Sequence, residues 1–184
     1  MDDEAITGWA VAAQQGDRDA AASFIRATTA ALRRLLSYLG DPHHVDDLVQ
    51  ETYLRAFTAL PRYAGKAPAR LWLFSIARRV AADQVRTAQR RPRTSGADWE
   101  HQLDQRRAAP APSGWVEVRQ AIAALEPERR EAFVLTRVLG LSYAEAAEAC
   151  DCPVGTIRSR VFRARTDLLA ALAERDDDDA ASGS

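Results

Sequence analysis

The sequence predicts an all-α protein, built from two small helical domains that an irregular linker joins. Apolar residues recur at helical spacing along most of the chain, and no alternating run typical of a strand is present. They make up 47% of the 184 residues, which is enough for packed cores. Residues 92–114 lack this periodicity and contain several prolines and glycines, so they are interpreted as the linker.

The segment before the linker predicts three helices, each bounded by a capping or helix-breaking residue. Asp17 can cap the first helix and Gly40 can end it, whereas Asp41 and Pro42 open the second. A loop at 62–68 separates the second helix from the third. The predicted helices cover 18–39, 42–60 and 69–90, which places the first domain at 1–91.

The segment 115–184 predicts a second helical domain that contains a helix-turn-helix. Ser142 and Glu145 form a capping box at the start of a short helix. Pro153 then opens a longer, arginine-rich helix that is expected to run to about residue 173. A short capped helix, a tight turn and a basic helix are typical of DNA-binding helix-turn-helix motifs. We expect the acidic tail from about residue 174 to be disordered.

Basic residues are concentrated in two stretches, although the net charge is only −1. Residues 62–93 contain nine basic residues and the single acid Asp83, and residues 155–165 contain four arginines and no acid. Two separated basic stretches favour contact with an anionic polymer at two places. Lys66 is the only lysine, and arginine is better suited than lysine to forked contacts with phosphate and guanine.

The last helix has an apolar face from Val154 to Leu172 and an opposite face suited to DNA. Phe162 is predicted to point away from the core, where an apolar side chain can contact the methyl group of thymine. Neighbouring arginines can reach guanine edges or phosphates. The alternative is a solvated basic face on a structural helix. The candidate DNA-binding residues of this helix are Thr156, Arg158, Ser159, Phe162 and Arg163.

Two independent segments resemble the extracytoplasmic-function sigma factors, group 4 of the sigma-70 family. In 125–165, GLSYAEAAEA and PVGTIRSRVFRAR are similar to the family domain whose last helix reads the −35 promoter element. DLVQETYLRAF, at 47–57, resembles the family segment that docks on the β′ clamp helices of RNA polymerase. The resemblance covers nearly all of 17–173, in the right order, and is strongest with the actinobacterial sigma-C-type branch.

The resemblance implies that core RNA polymerase is a partner, through its β′ clamp helices and its β flap. Apolar residues of the second helix can face the core, which leaves its charged residues on other faces for a charged partner helix. Without the resemblance, an ordinary salt-bridged surface helix is the favoured reading of these residues. The candidate polymerase-binding residues are Asp47, Gln50, Glu51 and Arg55.

The third helix resembles the family region that separates the DNA strands and reads the −10 element. Tyr63, in the loop before it, can stack on an unpaired base or can pack on Trp72 as a hinge residue. Many family members carry asparagine where this chain has Arg79, so the resemblance does not define the preferred −10 base. The candidate −10 residues are Tyr63, Trp72, Arg78, Arg79 and Arg86.

The remaining features predict neither an enzyme nor a cofactor. No catalytic constellation stands out, and no metal site is expected. Cys150 and Cys152 are interpreted as small buried hydrophobes, with a metal or redox site as the alternative. The acidic N-terminus and the lack of a long apolar run predict a cytoplasmic protein without membrane insertion.

Together these observations predict an alternative sigma factor that binds core RNA polymerase and promoter DNA. It would direct transcription initiation by reading −35 and −10 elements, and an anti-sigma factor is a further partner common in the family. The alternative is a free-standing helix-turn-helix regulator. Segment 41–91 discriminates between them, because a repressor has no need for a clamp-binding helix followed by a basic, aromatic helix.

Overall fold

The computed structural model describes residues 2–90 and 113–182, and every regular element within these ranges is helical. The side chains of 89, 113–115 and 174–182 are outside the description. The predicted all-α class is therefore confirmed. The predicted linker falls outside the described residues, except that a helix already begins at Ser113.

The N-terminal domain consists of four helices, and three of them match the predicted ranges closely. Asp17 caps α2 as expected, since its carboxylate accepts hydrogen bonds from the amides of Asp19 (2.9 Å) and Ala20 (3.0 Å). Short 3₁₀ turns precede and follow α3. The helices are α1 (Asp3–Gln14), α2 (Arg18–Leu39), α3 (Val45–Ala59) and α4 (Ala69–Arg90).

Helix α1 is an element that the sequence analysis did not predict. Asp2 caps it, and its buried residues are Ile6 and Ala10. Only these two side chains are fully buried, and alanine and glycine occupy much of the rest of the helix. The apolar pattern is therefore weak, although α1 packs closely along α2.

The core of this domain lies where α2, α3 and α4 meet, and the apolar faces expected from helical spacing point into it. Phe24, Leu32 and Leu36 of α2 are at most 2% exposed. Gly40 lets α2 end against α3, because a Cβ at this position would collide with the Leu48 side chain. Gln84 of α4 stabilises this close approach, because its side-chain amide oxygen accepts a hydrogen bond from the backbone amide of Asp41 at 2.9 Å.

The C-terminal domain contains the predicted helix-turn-helix. Ser142 and Glu145 form the expected capping box, with the Ser142 amide donating to the Glu145 carboxylate at 2.8 Å. Asp151 ends the short helix in a left-handed conformation with φ of 52°. The elements are α5 (Ser113–Ala124), α6 (Pro127–Phe133) with a π-helical continuation (Val134–Val138), α7 (Tyr143–Cys150) and α8 (Val154–Ser182).

The last helix is longer than the sequence predicts. Helix α8 runs to Ser182, well beyond the predicted end near residue 173. Propagation is possible because no proline occurs after Pro153 and no glycine between Gly155 and Gly183, while alanine and glutamate favour helix. A run of four aspartates is therefore not sufficient to end this helix.

The two domains contact each other through arginines of α4. The guanidinium of Arg78 forms a forked pair with the Glu131 carboxylate, with Nη2 at 2.9 Å from Oε2, and donates to the Ala149 carbonyl at 3.1 Å. Arg70 donates to Asp3 of α1 at 2.7 and 2.8 Å and to Glu145 of α7 at 3.0 Å. These charge-assisted bonds hold the helix-turn-helix against the outer side of α4.

We expect Glu131→Gln to loosen the contact between the domains. A neutral amide cannot accept both guanidinium bonds, and hydrogen bonds to charged groups contribute roughly 1.5–3 kcal/mol, or about 10- to 100-fold in the open population. Small-angle X-ray scattering should show a larger radius of gyration than in the wild type. Glu128→Gln, on the exposed side of α6, is the matched control. Equal radii for the two variants would contradict a closing role for the Arg78–Glu131 pair.

Candidate nucleic-acid and polymerase interfaces

Helix α8 has the buried apolar side and the exposed opposite side that the sequence predicts. Its inner side chains Ile157, Val161 and Ala164 are at most 1% exposed, whereas Phe162 is 72% exposed. Phe162 is more exposed than any other large apolar side chain in the described part of the chain. The structure also places Arg158, Ser159 and Arg163 at the surface and leaves Thr156 half-buried.

The exposed ring of Phe162, which lies between arginines, is unfavourable in water because its apolar surface is hydrated. Burial of such a ring removes a large apolar area from solvent, so its exposure is unfavourable unless a partner covers it. The Ser159 hydroxyl donates a hydrogen bond to the backbone carbonyl of Thr156 at 2.9 Å, within the helix. The exposed side of α8 therefore consists of a central aromatic ring with guanidinium groups beside it.

The contact between the domains covers one of the predicted −10 arginines of α4 and leaves the other two exposed. Arg79 and Arg86 lie at the surface, and Arg86 pairs with Asp83 one turn earlier. Arg78 was expected on the outer side, but its side chain is 20% exposed because Glu131 and α7 cover it. Burial opposes the charge of Arg78, and the bond and charge of Glu131 outweigh burial and raise its pKa.

Tyr63 packs on Trp72, as in the second of the two arrangements considered for it. It is 8% exposed, and its ring centroid lies 4.8 Å from that of Trp72, with the planes at 38°. The Tyr63 hydroxyl donates to the Ala67 carbonyl, and burial raises its pKa. In this conformation Tyr63 shapes the loop from inside, and Trp72 is half-buried behind it.

The predicted polymerase-binding residues lie together on the exposed side of α3. Asp47 is widely exposed, with a side-chain accessibility of 79%, and Gln50 is exposed one turn later. Arg55 donates at 2.7 Å both to Glu51 and to Asp83 of α4. These bonds raise the pKa of Arg55, and the bond from Arg55 is the largest cause of the lowered pKa of Asp83.

Leu54 belongs to the same surface and was missed by sequence reasoning. It is 64% exposed and lies one turn after Gln50 and Glu51. The signal was present in the sequence, since Leu54 falls off the face formed by Leu48 and Thr52. The α3 surface therefore combines charge with a central apolar contact, as protein interfaces commonly do.

Cys150 lies in the core, close to the pair that joins the domains. It is 7% exposed, and desolvation together with the nearby Glu131 carboxylate raises the pKa of its thiol to about 12. A protonated buried thiol packs as a small hydrophobe. Cys152 is half-buried, and both cysteines are free.

No helix among the described residues combines the length and hydropathy needed to cross a bilayer. Two family models match the chain in separate segments. The model for sigma-70 region 2 matches residues 24–91, and the model for sigma-70 region 4 matches residues 115–168. The first match contains α3 and α4, and the second contains the helix-turn-helix.

The chain is also similar to characterised proteins over most of its length. It is 51% identical over 177 residues to the ECF RNA polymerase sigma factor SigC of Mycobacterium tuberculosis, covering 96% of this chain and 95% of that protein. The solved structure of CnrH with the cytosolic domain of CnrY superposes with a TM-score of 0.72 at 28% identity, covering 92% of this chain and 98% of CnrH.

A second solved structure is the sigma factor RpoE of Bartonella quintana in complex with the anti-sigma factor NepR. It superposes with a TM-score of 0.65 at 28% identity, over 82% of this chain and 95% of that one. Both domains, their order along the chain and their fold thus agree with one family. The chain belongs to the extracytoplasmic-function RNA polymerase sigma factors.

Proposed function

We propose that this sigma factor divides promoter recognition between its two domains. The first domain, 1–91, docks on core RNA polymerase and reads and opens the −10 element, and the second, 115–184, reads the −35 element. Residues 92–114 connect them. The observation that carries the proposal is Phe162, an exposed aromatic ring among arginines on the helix that a helix-turn-helix uses to enter the major groove.

The −35 assignment rests on the two sides of α8. The inner side is fully packed, so the helix orientation is fixed and the outer side can present a constant pattern to DNA. Arg163 can form a forked contact with guanine, and Phe162 can contact the methyl group of thymine. Arg158 and Thr156, nearer the start of the helix, are suited to phosphate and base contacts.

The −10 assignment rests on the exposed arginines of α4. Ser75 and Ala82 are small, so a nucleic-acid backbone can approach the helix between the arginine side chains. Arg79 is exposed and available for a base, whereas Arg86 is suited to phosphate. Arg78 would become available if the second domain, which carries Glu131, moved away from α4.

The polymerase assignment rests on the α3 surface. Asp47, Gln50 and Glu51 provide acceptors for a basic partner helix, and Leu54 provides an apolar contact among them. Arg55 is already paired with Glu51 and with Asp83 of α4, so it stabilises the position of the Glu51 side chain on this surface.

The proposed role requires no chemistry of its own, because the polymerase catalyses RNA synthesis. The protein would act in the cytoplasm, where polymerase and chromosome are. Because CnrH and RpoE are seen in complexes with CnrY and the anti-sigma factor NepR, we include an anti-sigma protein among the proposed partners. A free-standing regulator is disfavoured, because region 2 of the sigma-70 family matches the first domain.

A run-off transcription assay with purified core enzyme tests the function as a whole. Core enzyme plus this protein is expected to yield transcripts from promoters with matching −35 and −10 elements, and neither component alone should do so. Tight, specific binding of the free protein to promoter duplex, without any stimulation of core enzyme, would instead indicate a free-standing regulator.

Gln50→Lys combined with Glu51→Lys should weaken the binding of core polymerase. The change places two positive charges on the proposed docking surface, and like charges across an interface cost several kcal/mol. A titration of labelled protein with core enzyme should show at least about a tenfold loss of affinity. Glu4→Lys with Gln15→Lys makes the same charge change at two exposed positions, one in the first turn of α1 and one directly after the helix, and should bind normally. Wild-type affinity of the α3 variant would disprove the docking assignment.

Phe162→Ala should leave the melting temperature nearly unchanged and reduce discrimination between −35 sequences. A buried phenylalanine would cost about 3–5 kcal/mol on truncation, but this ring is exposed. Arg163→Ala should weaken binding to the preferred sequence by about 1–3 kcal/mol if it contacts a base. Thermal melting and selection from a −35 library measure the two effects separately. Unchanged −35 preference in both variants would remove this face of α8 from promoter recognition.

A further inference from the structure

One face of α1 is aimed at the loop that precedes α4. Asp3, Thr7, Ala10 and Gln14 are spaced by four, three and four residues, which places them within about 60° of one another around the helix axis. Ala10 is fully buried on this face, and the other three side chains form polar contacts with residues 60–70. We call this set the α1 clamp.

Gln14 holds the first end of the loop. Its amide nitrogen donates to the carbonyl oxygens of Leu60 at 2.8 Å and Tyr63 at 3.0 Å. Both bonds are partly buried, so water cannot replace them freely. The backbone is thereby fixed at the point where the chain leaves the turn after α3.

Thr7 holds the second end of the loop. Its hydroxyl oxygen accepts a hydrogen bond from the amide of Ala69, the first residue of α4, at 3.1 Å. The Tyr63 hydroxyl donates to the Ala67 carbonyl, within the same loop. Thr7 therefore fixes the start of α4, and Tyr63 supports the loop from inside.

Asp3 completes the α1 clamp by bonding Arg70, the residue that follows Ala69 in α4. Its two carboxylate oxygens accept the forked guanidinium bonds of Arg70, whose side chain is 13% exposed. Between the fixed ends, Ala64, Gly65 and Lys66 form an exposed tip, and Gly65 has a φ of +68°. The loop thus has rigid ends and an accessible centre.

We propose that Thr7 and Gln14 are positioning residues that fix the Tyr63–Pro68 loop in the shape that receives an unpaired base of the −10 element. The inference rests on the proposed −10 function of the first domain. A loop that is already ordered loses less conformational freedom when a base binds, so binding is tighter and more selective. Neither residue is expected to touch DNA, since their three hydrogen bonds all point to the backbone of residues 60–69.

The experiment uses holoenzyme assembled from core polymerase and full-length protein, on a promoter library with a constant −35 element and a randomised −10 element. Gln14→Leu keeps the approximate volume and removes both donors. Thr7→Val keeps the shape and removes the hydroxyl, and Thr7→Ser restores it. Gln15→Leu, at the exposed neighbouring position, is the matched control.

We expect Gln14→Leu and Thr7→Val to flatten the preference between the best and the other −10 sequences by about tenfold, which corresponds to the loss of one or two hydrogen bonds. Thr7→Ser and Gln15→Leu should retain the wild-type preference. Binding of core polymerase and preference among −35 sequences should not change, because neither altered side chain bonds to a residue of α3 or α8.

A merely structural role gives a different result. Loss of folded protein would lower transcription from every promoter by the same factor, and uniform loss with unchanged −10 preference would overturn the proposal. If the variants match Gln15→Leu in all respects, the proposal is also overturned. The proposed function fails separately, when wild-type holoenzyme itself shows no −10 preference, and this is measured in the same library.

Discussion

Arg70 is the point at which three parts of the molecule meet. Its guanidinium donates hydrogen bonds to the carboxylate of Asp3 from α1 and to that of Glu145 from α7, while its own backbone belongs to α4. Glu145 is at the same time the acidic partner of the Ser142 cap, and the bond to Ser142 is the largest cause of its lowered pKa. One planar cation thus links the N-terminal helix, the basic helix and the start of the helix-turn-helix. The closed arrangement of the domains depends on this link and on the neighbouring Arg78 pair.

Local pattern predicted most of the fold. The bounds of α2 and α4, the capping box at Ser142 and the inward faces of the N-terminal helices all follow from spacing and capping chemistry, which act within a few residues. The outward direction of Phe162 was predictable for the same reason, because Ile157 and Val161 define the opposite side of the helix. The sequence resemblance then supplied functional roles that spacing alone leaves open.

The features that could not be predicted involve contacts between distant segments. A helical wheel places Arg78 at the surface of α4, and it carries no information that Glu131 covers this surface. No local pattern marks Thr7 and Gln14, because their partners are about 50 to 60 residues away in the chain. Buried polar groups find partners through the tertiary fold, and a single sequence does not state the pairing.

The composition of the loop tip has a chemical consequence. Lys66 is the single lysine in a protein whose other basic side chains are arginines and histidines, and it lies exposed beside Gly65. Arginine keeps its charge at every accessible pH, whereas a primary amine can be acylated and thereby neutralised. Amine-directed reagents therefore have two targets, the terminal amine and this position. A dye coupled at Lys66 would report on the loop alone, and acylation would remove charge there without altering either arginine-rich helix.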